Sequence, residues 1–258
     1  MEEKLNIASL EAKKTKKVVW MSGGVSSFIA GLLSQDVDEW IYIHVADQHE
    51  DTLRFIEDCE QFLSRKITIL KSDKFSCVQD VVRTRNFLNG PHGAPCTSCL
   101  KRSVRLDWEK QFPDTKFTYV WGYDLAEKAR ADRMRESDKG KYVHEFPLID
   151  RGLSKQDCHA ILRLTGIERP LLYRLGFPNN NCIGCLKSGQ FTWGLVRKYF
   201  PEKFAERARL EREQGHSCLK NMFLDELPEN SGRKTQSLEE ENLTLTLSAL
   251  LAAQELGL

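Results

Sequence analysis

The chain has 258 residues, 41% of them hydrophobic and 29% charged, with a formal net charge of +1. That balance describes a globular protein of one large domain, or one domain with an appendage. No apolar run approaches the roughly 20 residues of a membrane span, and the charged stretch 1–17 is unlike a secretory signal, so a cytoplasmic protein without a membrane partner is expected.

Residues 18–21 read as a buried strand and 28–33 as part of an apolar helix. Between them runs Ser22-Gly23-Gly24-Val25-Ser26-Ser27. A strand ending in such a turn presents backbone N–H groups and serine hydroxyls at a helix N-terminus, a cradle for phosphate, pyrophosphate or sulfate. A plain tight connection with a serine cap is the alternative. The spacing matches neither G-x-x-x-x-G-K-[ST] nor G-x-G-x-x-G.

Further strands are predicted at 40–46, 66–70, 117–123 and 142–148. Helices are predicted at 51–63 (apolar at Leu53, Ile56 and Phe62), 75–87, 100–112 and 154–164, the last capped by Ser154. Residues 88–98 read as a loop. The alternation predicts a Rossmann-like α/β fold, a mostly parallel sheet flanked by helices. Ligands in such sheets bind beyond the carboxyl ends of the strands, where Ser22–Ser27, Asp47–Asp51 and Gly122–Asp124 fall. A charged helix at 201–214, a flexible linker near 228–237 and an apolar-striped helix at 243–256 complete a helical extension. The stripe must pack on the body or on a partner, which makes oligomerisation through it an expectation. The organisation is then a tail at 1–16, an α/β domain at 17–200 and the extension at 201–258.

Charge is uneven: residues 225–258 carry a net −5, leaving +6 on the rest. A mildly basic body suits a polyanionic nucleotide and falls far short of a dedicated nucleic-acid binder. Of eight cysteines, Cys59, Cys77, Cys158 and Cys218 are scattered, while Cys96/Cys99 and Cys182/Cys185 form two C-x-x-C pairs. In a reducing compartment such pairs hold a metal or do redox work more often than they staple a fold. The 82 residues between the pairs are too many for an ordinary zinc ribbon. On softness alone four thiolates suit zinc and iron–sulfur equally, and inert buried thiols are the plainer alternative.

Taken in order, these motifs resemble the phosphoadenosine phosphosulfate (PAPS) reductase-like family, within the PP-loop adenine nucleotide alpha hydrolase superfamily. Ser22–Ser27 resembles the SGGxDS pyrophosphate loop, Asp47-Gln48-His49-Glu50-Asp51-Thr52 the second-strand loop bordering adenosine, and Cys96-Thr97-Ser98-Cys99-Leu100-Lys101 the CT..LK segment. The stretch 122–133 is similar to a glycine-then-arginine segment, and 176–185 with Lys187 to an asparagine-rich C-x-x-C region that includes Asn179, Asn180 and Asn181. The resemblance implies an adenine-nucleotide site of Ser22, Gly23, Gly24, Ser26, Ser27, Asp47, Gly122 and Arg133, with Lys101 and Arg130 catalytic and Mg²⁺ on the phosphates. The cysteine pattern is similar to that of adenylylsulfate reductases, implying a 4Fe-4S cluster on Cys96, Cys99, Cys182 and Cys185 ahead of zinc.

Two departures matter. Ser26 stands where the family loop has an aspartate, which weakens the expectation of ATP splitting relative to anion binding. The E-C-G-[LI]-H segment of true PAPS reductases is missing; only Gly215-His216-Ser217-Cys218-Leu219 is present, so Cys218 is a poor nucleophile. Arg102 and Arg105 are further anion-binding candidates, with solvated helix surface as the alternative, and His49 and His92 are loop acid–base candidates without visible partners.

The expected function is an enzyme that uses ATP, or an adenylylated substrate, for sulfur chemistry such as thiolation of a nucleobase or nucleic acid, fed by a sulfur donor. One alternative is an adenylylsulfate or PAPS reductase with a thioredoxin-like electron donor. The other is a non-catalytic nucleotide- or metal-binding module of a nucleic-acid modification or defence system.

Overall fold

A computed structural model describes residues 14–90, 93–231 and 244–258. Strands β1 (Thr15–Met21), β2 (Glu39–Ile43), β3 (Thr68–Leu70), β4 (Lys116–Val120) and β5 (Val143–Glu145) form one sheet in the order β3-β2-β1-β4-β5, every neighbouring pair parallel. Parallel strands need crossovers, and helices supply them on both faces, so central strands are apolar on both sides. In β1 the alternation is visible residue by residue. Val19 and Met21 enter a core shared with helices α1 (Val25–Leu32) and α2 (Asp51–Leu63), while Val18 and Trp20 face the opposite core. This is the Rossmann-like α/β architecture expected from the sequence.

Chain order reverses at β1, which β2 and β4 flank, and a crevice opens beyond the carboxyl ends of β1 and β4. Helix α3 (Val78–Arg85), the short turn α4 (Pro95–Thr97), a π-helical turn (Ser98–Arg102) and α5 (Ser103–Glu109) link β3 to β4. Helix α6 (Lys128–Ser137) links β4 to β5. Beyond β5 come α7 (Pro147–Asp150), α8 (Lys155–Leu164), α9 (Leu171–Arg174), α10 (Gln190–Tyr199), α11 (Pro201–Gln214) and α12 (Leu247–Glu255). Ser154 caps α8 in a capping box with Asp157, as its sequence predicts.

Several expectations need correction. On α2 the core-facing residues are Phe55, Ile56 and Cys59, while Leu53 and Phe62 are exposed; the buried stripe is rotated from the predicted one. The basic helix predicted at 100–112 starts as a π-turn, and 117–123 leaves the sheet after Val120 because the chain turns over the start of α1. Helix α12 packs on α8 through Ala249, Ala252 and Ala253, so its leucines are not the packing stripe: Leu247, Leu250 and Leu251 face outward. Thr246 fixes its start, donating to Asp157 Oδ1 at 2.7 Å. Of the predicted linker, 232–237 lies outside the described residues, as do His92 and most of the predicted tail. Among the described residues no helix is long and apolar enough to cross a membrane.

Candidate functional site

The segment Ser22–Ser27 joins β1 to α1 and is closed on itself by its serines. Ser22 N–H donates to Ser27 Oγ (3.0 Å), Ser27 Oγ donates to Gly24 carbonyl (2.9 Å), and Gly24 N–H meets Ser22 Oγ (3.3 Å). Gly24 occupies the N-cap of α1 and offers no side-chain cap, so first-turn N–H groups lack an intrahelical acceptor. Gly23 sits at φ +78°, and a Cβ there would lie 2.6 Å from Thr52 Cγ2. Gly122 presses so closely on the loop that a Cβ would lie 2.4 Å from Ser27 Cα. Glycine is therefore required at both positions by space, and at Gly23 by backbone conformation as well.

A second layer holds the loop. Buried Asn180 donates through Nδ2 to Gly23 carbonyl (2.7 Å) and Thr52 Oγ1 (3.0 Å). The Tyr173 hydroxyl meets the backbone of Val25 and Asn180, and burial pushes its pKa up to about 12. The asparagine-rich stretch thus ties the second C-x-x-C segment to the anion loop.

Above the loop lies a cleft of about 900 Å³. Ser22, Gly24, Ser26, Ser27 and Gly122 line it, and so do Cys96, Cys182 and Cys185. The long gap between the two cysteine pairs is closed by the fold. Cys99 is buried behind this wall, in an apolar cluster against which Cys96, Cys182 and Cys218 also pack. Burial raises the Cys96 thiol, the Cys185 charge adds to it, and Lys187 and Lys101 oppose it. Cys182 is pushed up to about 12 by burial, opposed by Lys101 and reinforced by Asp47, Cys185 and Cys96. An all-sulfur donor set with adjacent lysines has the chemistry of a cysteine-bound metal group. Among the described residues, however, no three cysteine, histidine or acidic side chains are gathered closely enough to hold one ion as they stand.

The predicted charges divide. Lys101 lies in the π-turn and Arg130 on α6, and both line the cleft, as do Arg102, Arg105, Lys155 and Lys187. Arg130 pairs with Glu127 at 2.7 Å and stacks 4.3 Å over Tyr123. Arg133 does not line the cleft; it is exposed elsewhere on α6. Asp47 is also outside it. Its carboxylate is buried against the Arg207 guanidinium and accepts from Val78 N–H at 2.7 Å, while its carbonyl accepts from Ile183 N–H at 2.8 Å. Asp47 and Arg207 therefore anchor the Cys182–Cys185 loop rather than a ligand, with Arg207 Nε donating to Gly184 carbonyl at 3.2 Å. His49 accepts from Asp51 N–H at 3.1 Å in a local turn and does not line the cleft. Cys218 is away from the cleft too, its backbone N–H held by buried Glu211 and its thiol raised by burial and that carboxylate.

Magnesium finds little protein support. Ser26 carries no carboxylate, and Glu127 and Asp138, the acidic residues on the cleft wall, are engaged by Arg130 and His144. The lining thus offers donors to an anion, and both of its carboxylates are already paired.

Sequence reading missed Trp20, Trp121, Lys155 and Tyr173. Trp20 and Trp121 sat in strand-like runs whose apolar character masked them, and Tyr173 lies on the short helix α9, whose place beside the loop is set by long-range packing. Lys155 looked like the ordinary first residue of a capped helix.

No family model matches the chain, and no curated protein matches it. Among solved structures it is similar to the crystal structure of phosphoadenylyl-sulfate (PAPS) reductase from Candida auris in its phosphate complex. Identity is 11% over 66% of this chain and 81% of that one, with a TM-score of 0.42. Likeness at that level assigns neither activity nor ligand to this chain.

Proposed function

We propose that this protein binds ATP or a related adenine nucleotide through Ser22–Ser27 and uses it for sulfur chemistry of the PAPS reductase-like, PP-loop type. The observation that carries this reading is one cleft lined both by the anion loop at the β1/β4 reversal and by the Cys96, Cys182 and Cys185 thiols. Loop N–H groups and serine hydroxyls would hold the phosphates, with Lys101, Lys155 and Arg130 offsetting charge that develops as an acceptor oxygen bonds to the α-phosphorus and pyrophosphate leaves. The work is positioning and electrostatics, with no protein nucleophile required. An iron–sulfur cluster on Cys96, Cys99, Cys182 and Cys185 would supply sulfur or electron transfer when bound.

A reductase acting on adenylylsulfate or PAPS is disfavoured, because Cys218 does not line the cleft. A non-catalytic nucleotide-binding module is the second reading, favoured by the absence of a carboxylate on the loop at Ser26. Radiolabelled pyrophosphate release from ATP, with and without candidate acceptors, separates the two. The enzyme reading expects acceptor-dependent release; ATP binding without release under any acceptor supports the module. Sulfite release from adenylylsulfate would instead establish the reductase.

A further inference from the structure

We propose that the β4–β5 side of the cleft is a second subsite, which takes one base of a single-stranded nucleic acid stacked on Trp121. The proposal rests on reading the Ser22–Ser27 loop as the nucleotide-phosphate site, and names the class of acceptor that the same cleft would serve.

Trp121 follows β4, is half-buried and lines the cleft. Its indole N–H donates to His144 Nδ1 at 3.0 Å, and the other ring nitrogen of His144 lies 3.1 Å from Asp138 Oδ2. Because Nδ1 accepts, the proton sits on Nε2 and is donated to Asp138. The His144 side chain is 1% exposed. A buried histidine and a carboxylate fix the plane of a half-buried aromatic ring on the cleft wall, as a pre-organised stacking platform requires.

The surroundings match a nucleotide unit. Tyr123 lies 6.3 Å from Trp121 and carries the Arg130 guanidinium 4.3 Å above its ring. Arg105 is wedged among Tyr119, Tyr142 and Trp121 at 5.4, 5.3 and 5.9 Å. Arg102 on the rim makes no ion pair with any described residue, leaving its guanidinium for a backbone phosphate. Residues 128–141 carry six basic and three acidic side chains, a locally positive border on a chain of net charge +1. Deeper in the cleft Trp20, 6% exposed, also reaches the wall, and its indole N–H has no hydrogen-bond partner among the described residues. A buried donor of that kind is costly unless a ligand acceptor, such as a base carbonyl, meets it. Aromatic platforms with arginines along a strand path are the general means of holding single strands without reading sequence. On the β2 side, Ile43, Val45, Val78 and Leu100 form a separate apolar wall for the base of the nucleotide itself.

The test uses the full-length protein and fluorescein-labelled 12-nucleotide single strands of mixed sequence, RNA and DNA in parallel, read by anisotropy at two salt concentrations. ATP and pyrophosphate affinities are measured alongside by calorimetry. The wild type is expected to bind a strand with affinity that falls as salt rises. Trp121→Ala is expected to weaken strand binding about 10- to 100-fold, the equivalent of about 1–3 kcal/mol per stacked base, with ATP affinity within about threefold. Trp121→Phe keeps most of the strand affinity and controls for folding, and His144→Gln falls between, because it loosens the platform without removing it. Preference for RNA or for DNA supports the subsite equally and identifies its source. Strand binding that depends on Trp121 in a protein that does not bind ATP also supports the subsite, while overturning the nucleotide reading of the loop. The proposal is overturned if neither strand binds, if Trp121→Ala leaves strand affinity unchanged, or if that variant weakens ATP and strand equally.

Discussion

Gly23 shows how one residue can carry both conformation and site. Its φ of +78° lies in the left-handed region, and a Cβ would sit 2.6 Å from Thr52 Cγ2. Gly23→Ala is therefore expected to cost about 1–3 kcal/mol of stability from backbone strain. It should also weaken pyrophosphate binding about tenfold or more, since the loop N–H groups move with it. Thr52→Ser in the same chain removes the clashing methyl and should restore part of the loss; chemical denaturation and calorimetry read both. Wild-type pyrophosphate affinity in Gly23→Ala would show that the anion is held elsewhere. The Ser-Gly-Gly-Val-Ser-Ser run was legible because a strand, a turn and an apolar helix are local features. Asp47 was misread for the complementary reason. Its partner Arg207 is 160 residues away, and no local pattern announces a pair of that kind.

At the level of elements, the informative piece is α11, whose charged sequence reads as a solvated surface helix. Its Arg207 and Glu211 are among the most buried side chains, because each spans a gap that backbone groups cannot close alone. Arg207 meets the Asp47 carboxylate and Gly184 carbonyl, while Glu211 accepts from the N–H groups of Cys218 and Leu224. Removing one member of a buried ion pair leaves an uncompensated charge, worth about 3–5 kcal/mol. Arg207→Met should lower the urea midpoint accordingly, and Asp47→Asn in the same chain should recover much of it. The single variant should also free the Cys182–Cys185 loop, visible as faster reaction of those thiols with a disulfide reagent; unchanged thiol reactivity would mean that Arg207 does not hold the loop. The π-turn at Ser98–Arg102 was equally invisible, since the one-residue slip that places Cys99 inside the core and Lys101 on the cleft keeps an ordinary helical composition.

For the whole molecule, the sheet order decides whether two distant cysteine pairs can cooperate. Strand alternation made the parallel fold legible, and the rule that ligands collect beyond carboxyl ends located the cleft. What could not be read was that the segment after α9 returns across β1 to lay Cys182 and Cys185 beside Cys96. That return depends on Asn180 grasping the Gly23 carbonyl and on the Asp47–Arg207 pair, both long-range contacts. Burial and neighbouring thiols hold Cys96 and Cys182 in the neutral form, and a bound cation would favour their thiolates instead. Anaerobically purified protein is therefore expected to carry iron and labile sulfide with visible absorption, and a Cys182→Ser variant to lose them together. Stoichiometric zinc instead would make the cysteines a structural clasp, and chelation should then lower thermal stability without changing ATP affinity. Protein that purifies anaerobically with neither metal would remove the cluster from the mechanism, leaving the anion loop and its lysines and arginines to account for whatever chemistry the cleft performs.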